Sequence, residues 1–148
     1  MQTRKLTKDD YDYIVSVMDR WWGGPAGERA HPVFFYELGE LGLVAEENGE
    51  RVGFLLGFIV PASEAEQETG YIHLVGIHPE HRRHGVGKEL YAQFSARCRS
   101  HGAKRLKAIT TVGNDGSLRF HMALGFTVHE DPNYAGEGRS RVVFTKPL

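Results

Sequence analysis

The chain has 148 residues, 41% of them hydrophobic, which is enough for one domain with its own core. Its net charge of -1 argues against bulk binding of nucleic acid, which usually requires a strongly basic domain. Because Cys98 is the only cysteine, no intramolecular disulfide forms and a reducing compartment is permitted.

The first part of the chain is predicted to form an edge strand and two helices. Residues 2–6 alternate in polarity, and Thr7 with Asp10 resembles a capping box. The predicted buried face of the first helix comprises Tyr11, Ile14, Val15, Met18 and Trp22, at spacings of three and four. Gly23-Gly24-Pro25 is predicted to end this helix, and a second short helix is predicted from Pro32 to about Leu38.

The middle of the chain predicts a β-hairpin of residues 43–47 and 51–60. Asn48-Gly49 between them favours a tight turn with positive φ angles. A polar, acidic loop follows, and then a strand over residues 71–78 that Pro79 ends.

The remaining elements alternate between helix and strand. Helices are predicted over 86–98 and 117–124, and strands over 106–111, 126–129 and 141–146. The longer helix is expected to bury Val86, Leu90, Tyr91, Phe94 and Cys98. This order predicts helices packed on a mixed sheet, with strands 71–78 and 106–111 parallel because a helical crossover joins them.

The segment from Ile77 to Lys88 carries the strongest chemical signal. A strand ends there, a loop containing Gly85 follows, and a long helix begins. The first amides of a helix lack internal partners and carry partial positive charge, so the site is suited to phosphate. Glu89 after Lys88 excludes a Walker A motif, and Leu90 excludes the dinucleotide fingerprint.

The pattern Arg82-x-x-Gly85-x-Gly87, preceded by a strand and His-Pro, resembles the pyrophosphate loop of the GNAT superfamily, the acyl-CoA-dependent N-acyltransferases. A second segment supports this resemblance: Asn114, Ser117 and then Phe120-His121-Met122-Ala123-Leu124-Gly125-Phe126. The resemblance covers nearly the whole chain. It implies one α/β domain over residues 1–148, with a mixed, centrally splayed sheet of six to seven strands and about four helices.

The resemblance also implies acetyl-CoA as co-substrate and no metal. Pantetheine would enter the gap between the splayed fourth and fifth strands, and the backbones of Val75 and Ile77 would pair with it. The side chain of Asn114 would bond the pantetheine arm. The expected cofactor-binding residues are Val75, Ile77, Arg82, Arg83, Gly85, Val86, Gly87, Lys88, Asn114 and Ser117.

Two histidines are candidate catalytic groups, since acyl transfer needs a base for the amine and an acid for the leaving thiolate. His121 stands where the family often has the tyrosine acid, and its alternative is a histidine that merely packs. By two-residue alternation His73 shares a strand face with Tyr71 and Val75. The resemblance makes His73 a candidate base, directly or through water; its alternative is a buried structural histidine. Tyr134 is an alternative proton donor on the loop 131–140, which is interpreted as a lid.

Charge and aromatic residues bear on the acceptor. Residues 78–107 carry a net charge of +6, as suits an anionic coenzyme, and residues 37–68 carry -7, which either attracts a cationic amine or is simply solvated. The aromatic residues of 21–25 and 34–36 are expected to shape the acceptor pocket or to belong to the core. His78, His81 and His84 recur every third residue, but no carboxylate or thiol completes a metal site.

These observations predict a cytoplasmic, single-domain acetyltransferase that transfers acetyl directly to a primary amine. A small-molecule acceptor is favoured, with a protein N-terminus as the first alternative. A silent acyl-CoA sensor and a nucleotide binder remain as competing hypotheses. A homodimer is possible, and no membrane or nucleic-acid partner is expected, since residues 1–10 contain no signal peptide and 52–60 is too short to span a bilayer.

Overall fold

The sheet that organises the chain has seven strands in the order β1-β2-β3-β4-β5-β7-β6. The computed structural model describes residues 1–22 and 30–148. The strands are β1 (Gln2–Lys5), β2 (Leu43–Glu47), β3 (Glu50–Val60), β4 (Thr69–Ile77), β5 (Arg105–Thr110), β6 (Thr127–Asp131) and β7 (Arg141–Pro147). Neighbouring strands are antiparallel except β4 and β5, which are parallel, as the helical crossover predicted.

Four α-helices cover the sheet in the described residues. They are α1 (Asp9–Trp22), α2 (Val33–Tyr36), α3 (Val86–Ser100) and α4 (Asp115–Ala123), and short 3₁₀ turns span Gly39–Leu41 and Pro79–His81. Helices α1 and α2 share one apolar cluster with one face of the sheet, whereas α3 and α4 pack on the other. The predicted element order and the mixed α/β fold are therefore confirmed.

Local sequence accounts for most of these boundaries. Asn48 and Gly49 have φ angles of 52° and 80°, the values that a primed hairpin turn requires. The predicted face of α3 is confirmed, since all five of its residues are buried.

The predicted face of α1 is partly wrong. Val15 is 39% exposed, and the buried stripe instead comprises Ile14, Val17, Met18 and Trp21. This stripe has the i, i+3, i+4, i+7 spacing of a helix face, from which Val15 is turned away. The side chain of Trp22 and the predicted Gly23–Pro25 stop lie outside the described residues.

The sheet opens between β4 and β5. The two strands pair only from Thr69 to Ile72 on β4 and from Arg105 to Ala108 on β5. Beyond Ile72 the β5-facing edge of β4 pairs with no strand among the described residues, although β4 continues to Ile77. The expected central splay is therefore present, and it exposes backbone polar groups in the middle of the sheet.

A β-bulge in β4 corrects the prediction that His73 and Val75 share a face. Leu56 of β3 pairs with Leu74, but the next residue, Gly57, pairs with Ile72, so His73 is surplus. An extra residue reverses the alternation on its far side. His73 accordingly stacks on Phe34 of α2, whereas Val75 packs with the core on the α3 side.

Candidate active site

A cavity of about 640 Å³ occupies the gap between β4 and β5. On the α1 side its wall includes Trp21 and His73, and on the α3 side it includes Gly87, Tyr91 and His121. The rest of its lining comprises Ile72, Leu74, Val75, Ile77, Arg82, Ala108, Ile109, Thr110, Asn114, Gly116, Ser117 and Phe120. The cavity thus crosses the sheet, and it brings together eight of the twelve residues singled out from the sequence: His73, Val75, Ile77, Arg82, Gly87, Asn114, Ser117 and His121.

The N-terminus of α3 forms one end of this site. Gly85 is the N-cap with φ 81°, a left-handed conformation that suits glycine, and no side chain in the described part of the chain caps the helix. The first bond of the helix runs from the Glu89 amide to the Gly85 carbonyl, at 3.0 Å. The amides at the helix start are therefore available to an anion, and this donor set fits a phosphate.

The remaining loop residues contribute less directly to the cavity. Arg83 and Lys88 are exposed and do not line it, and the Val86 side chain is 2% exposed within the core. A Cβ at Gly87 would lie 3.3 Å from the Phe120 ring, so the second glycine also permits close approach of α3 and α4. For Val86, only the backbone amide is placed to meet a ligand.

Arg82 connects the loop to the first helix. Its guanidinium donates a hydrogen bond to the backbone carbonyl of Trp21, near the end of α1, while its side chain lines the cavity. The Trp21 indole N–H is buried and has no acceptor among the described residues. The sequence placed Arg82 at a phosphate but gave no sign of this second contact.

Asn114 is the N-cap of α4. Its side-chain oxygen accepts from the Ser117 amide at 3.2 Å, and its amide nitrogen donates to Thr110 Oγ1 at 3.1 Å. Both ends of the side chain thus have a structural partner, which orders the mouth of the cavity. Its predicted bond to pantetheine is compatible with this position and stays a prediction.

His73 projects from the bulge of β4 towards α2. Its ring stacks on Phe34 with centroids 3.9 Å apart, and it is half-buried at the cavity wall. Phe34 also stacks on Phe58, and Phe58 contacts Tyr71, so aromatic rings extend from His73 along this face of the sheet. Of the aromatic residues expected at an acceptor pocket, Trp21 lines the cavity, whereas Phe34 packs against the core cluster and stacks on the candidate base.

His121 is buried, with 6% of its surface exposed. Its Nδ1 lies 2.8 Å from the Ser117 carbonyl, and its Nε2 lies 2.8 Å from the Tyr91 hydroxyl. Burial lowers the pKa of His121, against the opposing effect of the Ser117 hydrogen bond, so the neutral ring is favoured near neutral pH. The role of His121 as a proton donor stays a prediction.

Tyr91 is the cavity residue whose polar role sequence reasoning missed. The helical pattern assigned it to the buried face of α3, where it lies, but gave no role to its hydroxyl. Tyr91 follows Gly87 by four residues and therefore shares its side of the helix. That spacing from a proposed ligand-binding glycine was the only available signal.

A second cavity of about 280 Å³ lies further along the sheet. It is lined by Phe58, Val60, Glu66, Thr69, Tyr71, Lys107 and Tyr134. Tyr134, the alternative proton donor, hydrogen bonds to Tyr71 there; burial, the nearby Tyr134 and that bond raise the pKa of Tyr71 to about 12. Tyr134 therefore lies outside the larger cavity.

The remaining candidate groups contribute little to a reaction centre. The rings of His78, His81 and His84 are adjacent, but residues 1–22 and 30–148 contain no group of three or more ligands able to hold a metal. Cys98 is fully buried, and burial raises the pKa of its thiol to about 12.

Within residues 1–22 and 30–148 no helix is long and apolar enough to cross a membrane.

Comparison with known proteins identifies the family. The model of the Acetyltransferase (GNAT) family matches residues 10–126, so the chain belongs to that family. This confirms the resemblance inferred from the pyrophosphate loop.

Individual relatives are more distant. A mycothiol acetyltransferase of Thermobispora bispora is 32% identical over 83 residues, which cover 53% of this chain but only 28% of that relative. The NatC complex bound to Gag peptide and CoA has a TM-score of 0.82 and 18% identity, covering 99% of this chain and 98% of that one. The ribosomal-protein-S18-alanine N-acetyltransferase of Escherichia coli has a TM-score of 0.81 and 17% identity, covering 99% and 93%. At such identities the structural matches establish the fold alone.

Proposed function

We propose that this chain acts as one domain that transfers acetyl from acetyl-CoA directly to the primary amine of a small molecule. The observation that carries the proposal is the cavity that crosses the sheet between β4 and β5. It opens towards the start of α3 on one face and towards His73 on the other. A coenzyme and an acceptor approaching from opposite faces would meet inside it.

The coenzyme half follows from unsatisfied backbone groups. The amides at the start of α3 would hold the pyrophosphate, and the unpaired edge of β4 at Val75 and Ile77 would pair with the pantetheine amides as a strand would. Arg82, Arg83 and Lys88 add positive charge to this end, and Asn114 and Ser117 border the arm. These contacts would direct the thioester into the gap.

The acceptor half follows from His73. A primary amine is protonated near neutral pH, and it becomes a nucleophile only after losing a proton. A neutral imidazole at the bulge would accept that proton, directly or through one water. The attack then forms a C–N bond and breaks the C–S bond, and the released thiolate takes up a proton.

A peptide N-terminus is the second candidate acceptor. The structural likeness to NatC, solved with a peptide and CoA, favours it, whereas the relative named for mycothiol favours a small molecule. Thiol release from acetyl-CoA, measured with a panel of small primary amines and a panel of peptides, separates the two. Turnover of peptides alone would contradict the small-molecule proposal, and CoA binding without turnover of any amine would favour an acyl-CoA sensor.

The phosphate site is tested by Gly85→Glu. A carboxylate placed at the helix start repels the diphosphate, so CoA affinity measured by calorimetry is expected to fall by at least about 100-fold. Gly102→Glu is the matched control, because Gly102 lies just after the other end of α3 with φ 89° and open space around its Cβ position, as at Gly85. Equal affinities in the two variants would contradict the proposed phosphate site.

The base is tested by His73→Ala. Turnover is expected to fall by about 100-fold and the acidic limb of the pH–rate profile to move, while CoA affinity persists, because a general base contributes about 10²–10⁴-fold. His129→Ala serves as the control, since His129 is exposed on β6. An unchanged pH profile in His73→Ala would remove His73 from the reaction.

A further inference from the structure

A buried hydrogen bond joins two polar side chains on the wall of the cavity. The Tyr91 hydroxyl of α3 and His121 Nε2 of α4 are 2.8 Å apart, and both residues line the cavity. Tyr91 is 5% exposed and His121 6%. In most protein cores such a pair only satisfies the hydrogen-bonding groups of its two side chains. This pair also borders the space proposed for the thioester.

The partners of His121 determine which atom carries the proton. The Ser117 carbonyl, 2.8 Å from Nδ1, can only accept a hydrogen bond, so Nδ1 of the neutral ring bears the hydrogen. Nε2 is then an acceptor, and the Tyr91 hydroxyl donates to it. The lone pairs of the Tyr91 oxygen remain for a donor in the cavity.

Packing fixes the imidazole in this orientation. The Phe144 ring stacks on it at 4.0 Å with an interplanar angle of 6°, and Phe120 and Phe126 contact it edge-on. These neighbours are uncharged, so the proton on His121 is governed by Ser117 and Tyr91. Because Ser117 and Tyr91 engage both ring nitrogens, a proton passes between His121 and the cavity through the Tyr91 hydroxyl.

We infer that Tyr91 carries the proton between the attacking amine and the leaving sulfur, and that His121 is the positioning residue that holds it in transit. The inference rests on the proposed acetyl transfer. The amine nitrogen and the sulfur are bonded to the same carbon during transfer, so one hydroxyl beside that carbon can serve both.

The proton balance closes within the pair. After His73 has taken the first proton and the amine has attacked, the Tyr91 oxygen accepts the second N–H proton while its own O–H proton moves to Nε2. His121 is then an imidazolium, with Nδ1 held by Ser117. As the C–S bond breaks, Nε2 returns its proton to Tyr91, and the Tyr91 hydroxyl gives a proton to sulfur. The products are the amide, the thiol and the original neutral pair.

The other candidate donor is placed less favourably. Tyr134 lies in the second cavity with Tyr71 and is 44% exposed. It therefore provides a matched tyrosine control outside the larger cavity.

The first test measures binding and needs no acceptor. The thiol pKa of enzyme-bound CoA is read from thiolate absorbance against pH for the wild type, Tyr91→Phe and Tyr134→Phe. In the relay the thiol gives its proton to the Tyr91 oxygen while the Tyr91 proton moves to Nε2, so the thiolate then accepts a hydrogen bond from Tyr91. Loss of that bond is expected to lower the acid dissociation constant of the bound thiol about tenfold in Tyr91→Phe only. Equal values in all three would overturn the inference, whereas failure of the wild type to bind CoA would contradict the proposed function.

Nitrogen chemical shifts of His121 in the wild-type protein provide a readout that does not depend on a variant folding. The free protein is expected to show a neutral ring protonated at Nδ1, and the Nε2 resonance is expected to move as the bound thiol titrates. An Nε2 resonance that is indifferent to the thiol would overturn the relay even if Tyr91→Phe proved unstable.

Kinetics separate proton transfer from positioning once an acceptor is known. His121→Gln keeps an oxygen that can accept from Tyr91 but cannot hold a proton. We expect its kcat to fall by about 100-fold and its pH profile to change, with KM for acetyl-CoA nearly unchanged. Wild-type kcat and an unaltered pH profile in His121→Gln would restrict His121 to a structural role and overturn the relay.

Discussion

At the scale of single residues, Asp10 is the charged group on which the placement of α1 depends. Its carboxylate is fully buried and accepts hydrogen bonds from Arg4, Arg51 and the Thr7 amide. The pairing of Thr7 with Asp10 was predicted as a capping box, but the bonds from Arg4 of β1, six residues away, and Arg51 of β3, 41 residues away, were not predicted. Asp10 therefore attaches the start of α1 to the sheet that carries the site.

Replacing Asp10 with asparagine is expected to destabilise the protein. The change weakens charged hydrogen bonds that contribute about 1.5–3 kcal/mol each, and the loss is measured as the free energy of unfolding in urea. Asp12→Asn, on the same first turn but exposed, is the control and is expected to be near neutral. Equal losses would show that helix-end charge alone is responsible.

The same carboxylate gives stability a defined pH dependence. Burial by itself would raise the pKa of Asp10, but the bonds from Arg4, Thr7 and Arg51 outweigh it and hold the pKa well below its usual range. A carboxyl with a depressed folded-state pKa stabilises fully above its unfolded pKa of about 3.9 and progressively less as pH falls below it. Asp10→Asn is expected to lose this part of the acid dependence.

At the scale of elements, the fit of α3 on the sheet depends on glycines in the strands beneath it. A Cβ at Gly57 of β3 would lie 2.5 Å from the Phe94 ring and 2.8 Å from the Tyr71 carbonyl. Phe94 is fully buried, one turn beyond Leu90 on the same helix. The helix whose start forms the proposed phosphate site therefore packs directly against the backbone of β3 at Gly57.

Gly57→Ala is expected to cost about 1–3 kcal/mol of unfolding free energy through overpacking. Adding Phe94→Leu should recover part of that loss, because the ring contact is relieved and the carbonyl contact is not. Gly116→Ala is the control, since its Cβ would meet nothing closer than 3.9 Å. Additive losses in the double variant would indicate that the ring contact is not the cause.

At the scale of the whole molecule, the element order and the parallel pairing of β4 with β5 were predictable, and the family resemblance implied the central gap. The details inside the gap were not predictable. The loop around Gly85 and the segment from Asn114 to Phe126 are local patterns, so they indicated the family and the two ends of the site. The β4 bulge depends on pairing with β3, and the Tyr91–His121 bond joins residues 30 positions apart. Neither leaves a periodic signal in either segment.

The buried face of α1 was also not fully predictable from local sequence. Both Val15 and Val17 are apolar, and only the docking of α1 on the sheet selects Val17 for burial. Asn114 differs, because its partners Ser117 and Thr110 lie only three and four residues away and its place at the start of α4 therefore depends on local sequence.

The extra residue at the β4 bulge divides the strand into two parts with different proposed roles. Before it, Tyr71 lies on the same side of the sheet as the proposed base, and after it, Val75 and Ile77 lie on the α3 side, where the coenzyme is proposed to bind. A substitution at Phe34, which stacks on the proposed base His73, is consequently expected to disturb the acceptor side without moving the groups proposed to hold the diphosphate. In a strand without that extra residue, the side chains facing the proposed acceptor and those facing the proposed coenzyme would alternate in one register. A change that altered selectivity for the amine would then also lower the affinity for the coenzyme.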